Sequence, residues 1–116
     1  MHELSVCQNI IDQVSHIAAT HQADSVATIY LQIGPLSGVE PDLLLSAFPV
    51  ACAGTIADHA ELVITSMPVR VHCTGCHKDS EVQVNRLVCG NCGHWQTTLL
   101  SGDELLLERV ELQREH

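Results

Sequence analysis

Two hydrophobic periodicities follow one another at the start of the chain. From about residue 4 to residue 21, apolar side chains recur every three or four positions, which predicts an amphipathic helix. From Ser25 to Gly34 the pattern changes to alternation, which predicts a β-strand. The alternation assigns Ala27, Ile29, Leu31 and Ile33 to one face and Val26, Thr28, Tyr30 and Gln32 to the other.

Turn-forming residues follow this strand and lead into a second helix. The segment 34–38 contains glycine, proline and serine, so it should end the strand. Pro41 is suited to the first turn of a helix that runs toward Cys52, and Gly54 is a suitable stop for it. Cys7 and Cys52 both fall among apolar positions, and we interpret them as small core side chains.

The second half of the chain predicts strands and turns. Residues 61–72 form one candidate strand, in which Pro68 should mark an edge or a bulge. Short alternating segments at 81–84 and 97–100 predict a pair of ribbon strands. The alternation from 105 to 112 predicts a terminal strand that returns to the sheet of the first strand.

Charge is distributed unevenly along the chain, whose formal net charge is −9. The first 69 residues contain acidic side chains but no Lys or Arg, so their field repels phosphate backbones and attracts cations. The chain has only three aromatic residues of the Phe, Tyr and Trp type, too few for a base-stacking platform. We therefore expect no nucleic-acid binding. We also expect a cytoplasmic protein, because neither a membrane-spanning run nor a secretory leader is evident.

Four cysteines form two matched pairs in the second half of the chain. The pairs are Cys73-Thr-Gly-Cys76 and Cys89-Gly-Asn-Cys92. A tight turn can present both sulfurs of one pair to a single ion, and the second pair completes a tetrahedron around Zn²⁺. All four ligands then come from the protein, so the zinc should be structural and should organise a segment too small to fold alone.

Other interpretations of these cysteines remain open. The thiols could form disulfides, although the absence of a leader disfavours this, or one pair could be a dithiol redox site. His77 and His94 lie one and two residues after a cysteine of each pair. Either histidine could replace a thiolate and make the metal exchangeable, or both could be solvated residues of the turns.

The first three residues are a second candidate metal site. Met1-His2-Glu3 places a terminal amine, a backbone amide and an imidazole within reach of one ion. Ni²⁺ and Cu²⁺ favour such nitrogen sets in square-planar or tetragonal geometry. The carboxylate of Glu3 could add a ligand or a hydrogen bond, and Glu40 could reach the site if its loop packs against the terminus. Taken alone, a histidine at position 2 is a weak signal.

Together, these motifs resemble the HypA/HybF family of [NiFe]-hydrogenase maturation factors across essentially the whole chain. Three separated motifs in the right order are more specific than any one of them. The residues that carry the resemblance are Met1-His2-Glu3-Leu4-Ser5, the run from Ile33 to Pro41, Cys73, Cys76, Cys89 and Cys92, and Gly102-Asp103-Glu104-Leu105.

The resemblance implies a nickel metallochaperone rather than an enzyme. By residue correspondence, Ni²⁺ would be bound by His2 with backbone nitrogens of the first residues, Met1 included, and by Glu3 or Glu40. Structural zinc would lie in a separate lobe. The implied partners are a HypB-type GTPase and the precursor of the hydrogenase large subunit, and in some bacteria urease. We expect a monomer or weak homodimer.

The expected fold class is α+β, with two helices on a small mixed sheet and an inserted four-cysteine zinc ribbon. The nickel-binding domain would comprise residues 1–69 plus 99–116, and the ribbon residues 70–98. The alternative function is a zinc-ribbon module that binds protein or nucleic acid and has no role in nickel handling. No nucleophile–base pair, paired carboxylates or phosphate loop with convincing spacing predicts an enzyme.

Overall fold

A computed structural model of the chain describes residues 3–114. Two helices precede most of the strands, and the order of elements confirms the expected α+β class. The elements are α1 (Glu3–Thr20), β1 (Ser25–Ile33), α2 (Pro41–Cys52), β2 (Glu61–Ser66), β3 (Val69–Cys73), β4 (Asp79–Val82), β5 (Thr97–Ser101) and β6 (Leu105–Gln113). Within residues 3–114, neither helix is long and apolar enough to cross a membrane.

The first sheet has the strand order β2-β1-β6. β1 pairs parallel with β2 and antiparallel with β6, so the terminal strand returns to the first strand as predicted. α2 connects two parallel strands, and a short turn connects α1 to β1, so both helices run opposite to β1. The helices contact each other, and the main core lies between them and one face of the sheet. Ile29, Leu31 and Leu44 are among its fully buried side chains.

One face assignment in β1 was wrong. Val26 is buried, at 2% exposure, whereas Ala27 is only partly buried. The pairing of β1 with β6 shifts register between Val26 and Thr28, which is a β-bulge. A bulge adds one residue and moves the side chains before it to the other face. Simple alternation cannot reveal this shift.

The second sheet is antiparallel, with the order β4-β3-β5. The single strand expected over 61–72 is in fact two strands, β2 and β3, which belong to different sheets. They are separated at Met67 and Pro68. Proline removes one ladder donor, and the break lets the chain leave the first sheet and enter the second. The molecule is elongated, with principal extents of 58 × 25 × 16 Å.

The two sheets meet at a close backbone contact. The amide of Leu36 donates to the carbonyl of Gly102 (2.7 Å), and the amide of Gly34 donates to that of Glu104 (2.9 Å). A Cβ on Gly34 would lie 2.1 Å from the Gly102 oxygen, so only glycine permits this approach. The loop after β1 is thereby fixed to the segment that leads out of the second sheet.

Candidate metal centre

The four cysteine thiols of the second sheet converge on one point. Cys73 ends β3, and a tight turn brings Cys76 back toward it, while Cys89 and Cys92 form an equivalent turn. In each turn, two backbone N–H groups point at the sulfur of the first cysteine. These donors are Gly75 and Cys76 to Cys73, and Asn91 and Cys92 to Cys89, each with an N to S distance of 3.3 Å.

The thiol geometry fits a tetrahedral thiolate-bound metal. The four sulfurs lie within 4.8 Å of one another, and the Cys73–Cys92 and Cys76–Cys89 pairs are each 3.6 Å apart. Zinc bound at about 2.3 Å by four sulfurs requires S–S separations of about 3.8 Å. All six cysteines of the chain are free, so the disulfide interpretation is not supported.

Backbone amides favour ionisation of the first thiol of each pair. The amide of Cys92 is the main cause that lowers the pKa of Cys89 to about 6, and the amide of Cys76 lowers the pKa of Cys73. The amide of His94 favours the thiolate of Cys92, but hydrogen bonds with neighbouring thiols, that of Cys73 first, outweigh it and raise its pKa to about 11. Zinc binds thiolates, so the amides favour the form that a metal requires.

The histidines of this lobe have other contacts. His77 and His94 are not among the four converging donors found in residues 3–114. Sequence reasoning missed a further pair, His72 and Asp79, whose Nδ1 and Oδ1 atoms are 2.7 Å apart. These residues lie opposite each other across β3 and β4. Their sequence separation gave no signal, because only the strand register joins them.

The second candidate site lies only partly within the described residues. Met1 and His2 are outside them. Glu3 lies in the first turn of α1. Glu40 is the N-cap residue of α2 and makes no side-chain cap hydrogen bond within residues 3–114, so its exposed carboxylate is not used to hold the helix.

The two helix N-termini lie at the same end of the first sheet. Glu40 shares a cleft of about 210 Å³ with Ile33 and Ser66, the last residues of β1 and β2. The start of α1 lines a cleft with Leu105, which pairs with Ile33. Cys7 links the helices, because its thiol donates to the carbonyl of Leu44 (3.9 Å). Glu3 and Glu40 each lie one helical turn before this contact.

Acidic side chains dominate the electrostatics at this end of the sheet. Two helix N-termini create a positive potential that disfavours a cation. Glu3 and Asp42 lie in the first turns of the two helices, and Glu40 caps the second, so three carboxylates offset that potential. Burial and the nearby Glu3 carboxylate together raise the pKa of Cys7, which keeps this thiol protonated.

The fold and the thiol cluster define a two-lobed α+β protein with a four-cysteine metal centre. A family model described as "Hydrogenase/urease nickel incorporation, metallochaperone, hypA" matches residues 1–112. The chain therefore belongs to the HypA family of nickel-incorporation metallochaperones for hydrogenase maturation. The match includes the helical domain as well as the cysteine lobe.

Relatives of known name support the same assignment. Hydrogenase maturation factor HypA of Nitrosospira multiformis is 46% identical over 112 residues, covering 97% of each chain. The factor of the same name from Aquifex aeolicus is 36% identical over 113 residues, covering 97% of this chain and 98% of that one.

Solved structures agree in fold. The solution structure of the Ni metallochaperone HypA from Helicobacter pylori superimposes with a TM-score of 0.70 at 26% identity and covers 99% of this chain and 100% of that one. A second solution structure of a HypA protein gives a TM-score of 0.75 at 26% identity, covering 99% of this chain and 98% of that one.

Proposed function

We propose that this protein binds Ni²⁺ at its N-terminus and delivers it to the precursor of a [NiFe]-hydrogenase large subunit, acting as a carrier and not as a catalyst. The observation that carries the proposal is the family match over residues 1–112, which includes the Met1-His2-Glu3 motif. Glu3 and Glu40 lie at the same end of the sheet. This supports the proposal, because two carboxylates can serve one nickel site only if they lie near each other.

The proposed ligands suit an ion that must be released. Nickel would be bound by the amine of Met1, the amide and imidazole of His2, and a carboxylate of Glu3 or Glu40. Nitrogen donors at a chain terminus favour Ni²⁺ over harder cations. Such a site has an open side for an incoming ligand of the acceptor, whereas a closed protein cage would exchange slowly. A HypB-type GTPase is the proposed partner in transfer.

We further propose that Cys73, Cys76, Cys89 and Cys92 hold structural zinc. Their converging sulfurs and the amides directed at Cys73 and Cys89 support this assignment. Zinc would supply cross-linking of the two turns, which a lobe with so little apolar core needs in order to fold. With four protein ligands there is no coordination position for a substrate.

Titration of Ni²⁺ into zinc-loaded protein with its native N-terminus tests the nickel assignment. His2→Ala should lower nickel affinity at least about tenfold, because a loss of 1.4 kcal/mol already has that effect. His59→Ala is a matched control, since His59 is an exposed histidine beside Asp58 in the loop after α2. Equal affinity of wild type and His2→Ala would contradict the proposal.

A second variant tests whether the terminal amine of Met1 is a nickel ligand. An N-terminal extension of a few residues converts the amine of Met1 into an amide and leaves His2 in place. We expect this extended protein to lose nickel affinity while retaining zinc. Unaltered nickel binding would show that the Met1 nitrogen is not a ligand.

A further inference from the structure

The loop between β1 and α2 contains a serine whose hydroxyl bonds to the backbone of the loop itself. The hydroxyl oxygen of Ser37 accepts a hydrogen bond from the amide of Val39 at 3.2 Å, in a partly buried position. In such a turn the hydroxyl replaces a backbone carbonyl as the acceptor. Glu40, one of the proposed nickel ligands, follows directly in the sequence. The turn therefore lies where it can determine the position of Glu40.

The start of this loop is fixed to the rest of the molecule. The amide of Leu36 donates to the carbonyl of Gly102 at 2.7 Å, and the amide of Ser37 donates to the carbonyl of Gly34 at 3.1 Å. Gly34 in turn lies so close to the backbone of Gly102 that no Cβ would fit between them. The hydroxyl of Ser37 therefore acts from a backbone that is already held in place.

Gly38 is a flexible point in the loop. It has φ of +82°, and a Cβ added to it would meet nothing within 4 Å, so its surroundings are open. Glycine also has more conformational freedom than any other residue. The hydrogen bond from Val39 to Ser37 spans this glycine and closes it into a turn. The Ser37 hydroxyl therefore restrains a residue that packing leaves free, two positions before Glu40.

On its other side, Glu40 is followed by the first turn of α2. The amide of Leu44 donates to the carbonyl of Glu40 at 3.0 Å, whereas the Glu40 carboxylate makes no cap hydrogen bond within residues 3–114. Serine, threonine, aspartate and asparagine are the preferred residues at an N-cap, so helix stability does not account for a glutamate here. The backbone of Glu40 is thus fixed from both sides, while its carboxylate stays free for an ion.

We propose that Ser37 is a positioning residue of the nickel site, whose hydroxyl closes the turn across Gly38 and so holds Glu40 where its carboxylate can bind Ni²⁺. This inference rests on the proposed function, because it takes Glu40 as a nickel ligand. A ligand with a backbone that is already fixed loses less conformational freedom when the ion binds. Groups that orient a metal ligand from outside the coordination sphere therefore contribute to metal affinity.

Calorimetric titration of Ni²⁺ into zinc-loaded protein with its native N-terminus tests the proposal. Ser37→Ala should weaken nickel binding about threefold to tenfold, at most the loss expected for Glu40→Gln, because it acts through that carboxylate. Ser37→Thr keeps a hydroxyl at the same position and should retain the affinity of the wild type. In the Glu40→Gln background, Ser37→Ala should cause no further loss, since the two residues act as one unit.

A matched control separates positioning from a loss of stability. Thr55 makes the same kind of turn after α2, because its hydroxyl oxygen accepts from the amide of Ala57 at 3.1 Å in a partly buried position. Its hydroxyl also donates to the carbonyl of Cys52, so Thr55→Ala should lower the melting temperature at least as much as Ser37→Ala. Only Ser37→Ala should weaken nickel binding, because Thr55 lies at the opposite end of α2 from Glu40.

Wild-type nickel affinity in Ser37→Ala, alongside weakened binding in Glu40→Gln, would overturn the proposal. Equal losses of nickel affinity in Ser37→Ala and Thr55→Ala would do the same, as would a further loss from Ser37→Ala in the Glu40→Gln background. If Glu40→Gln itself binds nickel normally, the positioning role is overturned, while His2→Ala decides separately whether nickel binds at the N-terminus.

Discussion

At the scale of single residues, the two cysteine turns share one backbone conformation but differ in the residue after the second cysteine. The residue after the second cysteine adopts positive φ in both turns, and it is His77 in the first and Gly93 in the second. Each also donates its amide to the carbonyl of the first cysteine of its pair. A side chain at positive φ costs about 1 kcal/mol, so His77 stays in a disfavoured conformation.

Replacing His77 tests whether its side chain serves the metal. His77→Gly relieves the backbone cost, while glycine adds flexibility to the unfolded chain, so we expect stability to remain equal or rise by up to about 1 kcal/mol. Zinc affinity should not change. Competition with a chromogenic chelator measures that affinity, with Cys76→Ser as the variant that must lose zinc. Loss of zinc in His77→Gly would make the histidine a ligand.

Glu40 offers the sharpest residue-level test on the nickel side. Glu40→Gln keeps the size of the side chain and removes its charge, so Ni²⁺ affinity should fall by about tenfold, or 1.4 kcal/mol. Glu61→Gln is the matched control, because Glu61 is an exposed carboxylate at the start of β2, at the opposite end of the sheet. Isothermal titration calorimetry measures the Ni²⁺ affinities of both variants. Equal losses in both variants would indicate a general field effect instead of a ligand at Glu40.

At the scale of elements, hydrophobic periodicity predicted α1, β1 and β6 well, and Pro41 and Gly54 correctly predicted the start and the stop of α2. The three periodic elements are each long enough for several repeats of their period, and the bounds of α1 differ from expectation by a single residue. Two features depend on contacts distant in sequence. The bulge at Val26 exists because β1 must pair with β6, and the separation of β2 from β3 exists because each has partners in its own sheet.

In the candidate sites, too, some features follow from local sequence and others depend on contacts distant in sequence. The spacing of the cysteine pairs carries local information, so the convergence of four thiols was predictable from sequence. The hydrogen-bonded pair of His72 and Asp79 depends on the register of β3 with β4 and was not predictable. The proximity of the N-termini of α1 and α2 depends on how both helices pack against the sheet. The assignment of Met1, His2, Glu3 and Glu40 as nickel ligands stays a prediction.

The contact between the loop after β1 and the exit from the second sheet can be tested with glycine variants. Gly34→Ala would place a Cβ 2.1 Å from the carbonyl oxygen of Gly102, and Gly38→Ala would meet nothing within 4 Å. Gly38 has φ of +82°, so its variant should cost about 1 kcal/mol from backbone strain alone. Gly34→Ala should cost about 2 kcal/mol or more, because packed backbone must move. Urea unfolding should rank them in that order.

At the scale of the whole molecule, the sequence-based division into a domain of residues 1–69 plus 99–116 and a ribbon of residues 70–98 stays a prediction, and it implies that the two parts have separable stability. The first sheet has a core shared with two helices, whereas the second has four thiols and few buried apolar side chains. Removing the metal with a chelator under reducing conditions should therefore raise amide exchange across residues 70–98 and leave α1 and β1 protected. Uniform loss of protection would mean that the two lobes fold as one unit.

We propose that one elongated molecule holds two metals in different lobes: zinc on sulfur, and nickel on nitrogen and oxygen at the other end of the sequence. X-ray absorption at the nickel and zinc edges, on protein with its native N-terminus loaded with one equivalent of each metal, tests this most directly. We expect four sulfur neighbours around zinc and only nitrogen or oxygen neighbours around nickel, with the nickel signal lost in His2→Ala. Sulfur in the first shell of nickel, or an unchanged nickel site in His2→Ala, would contradict it.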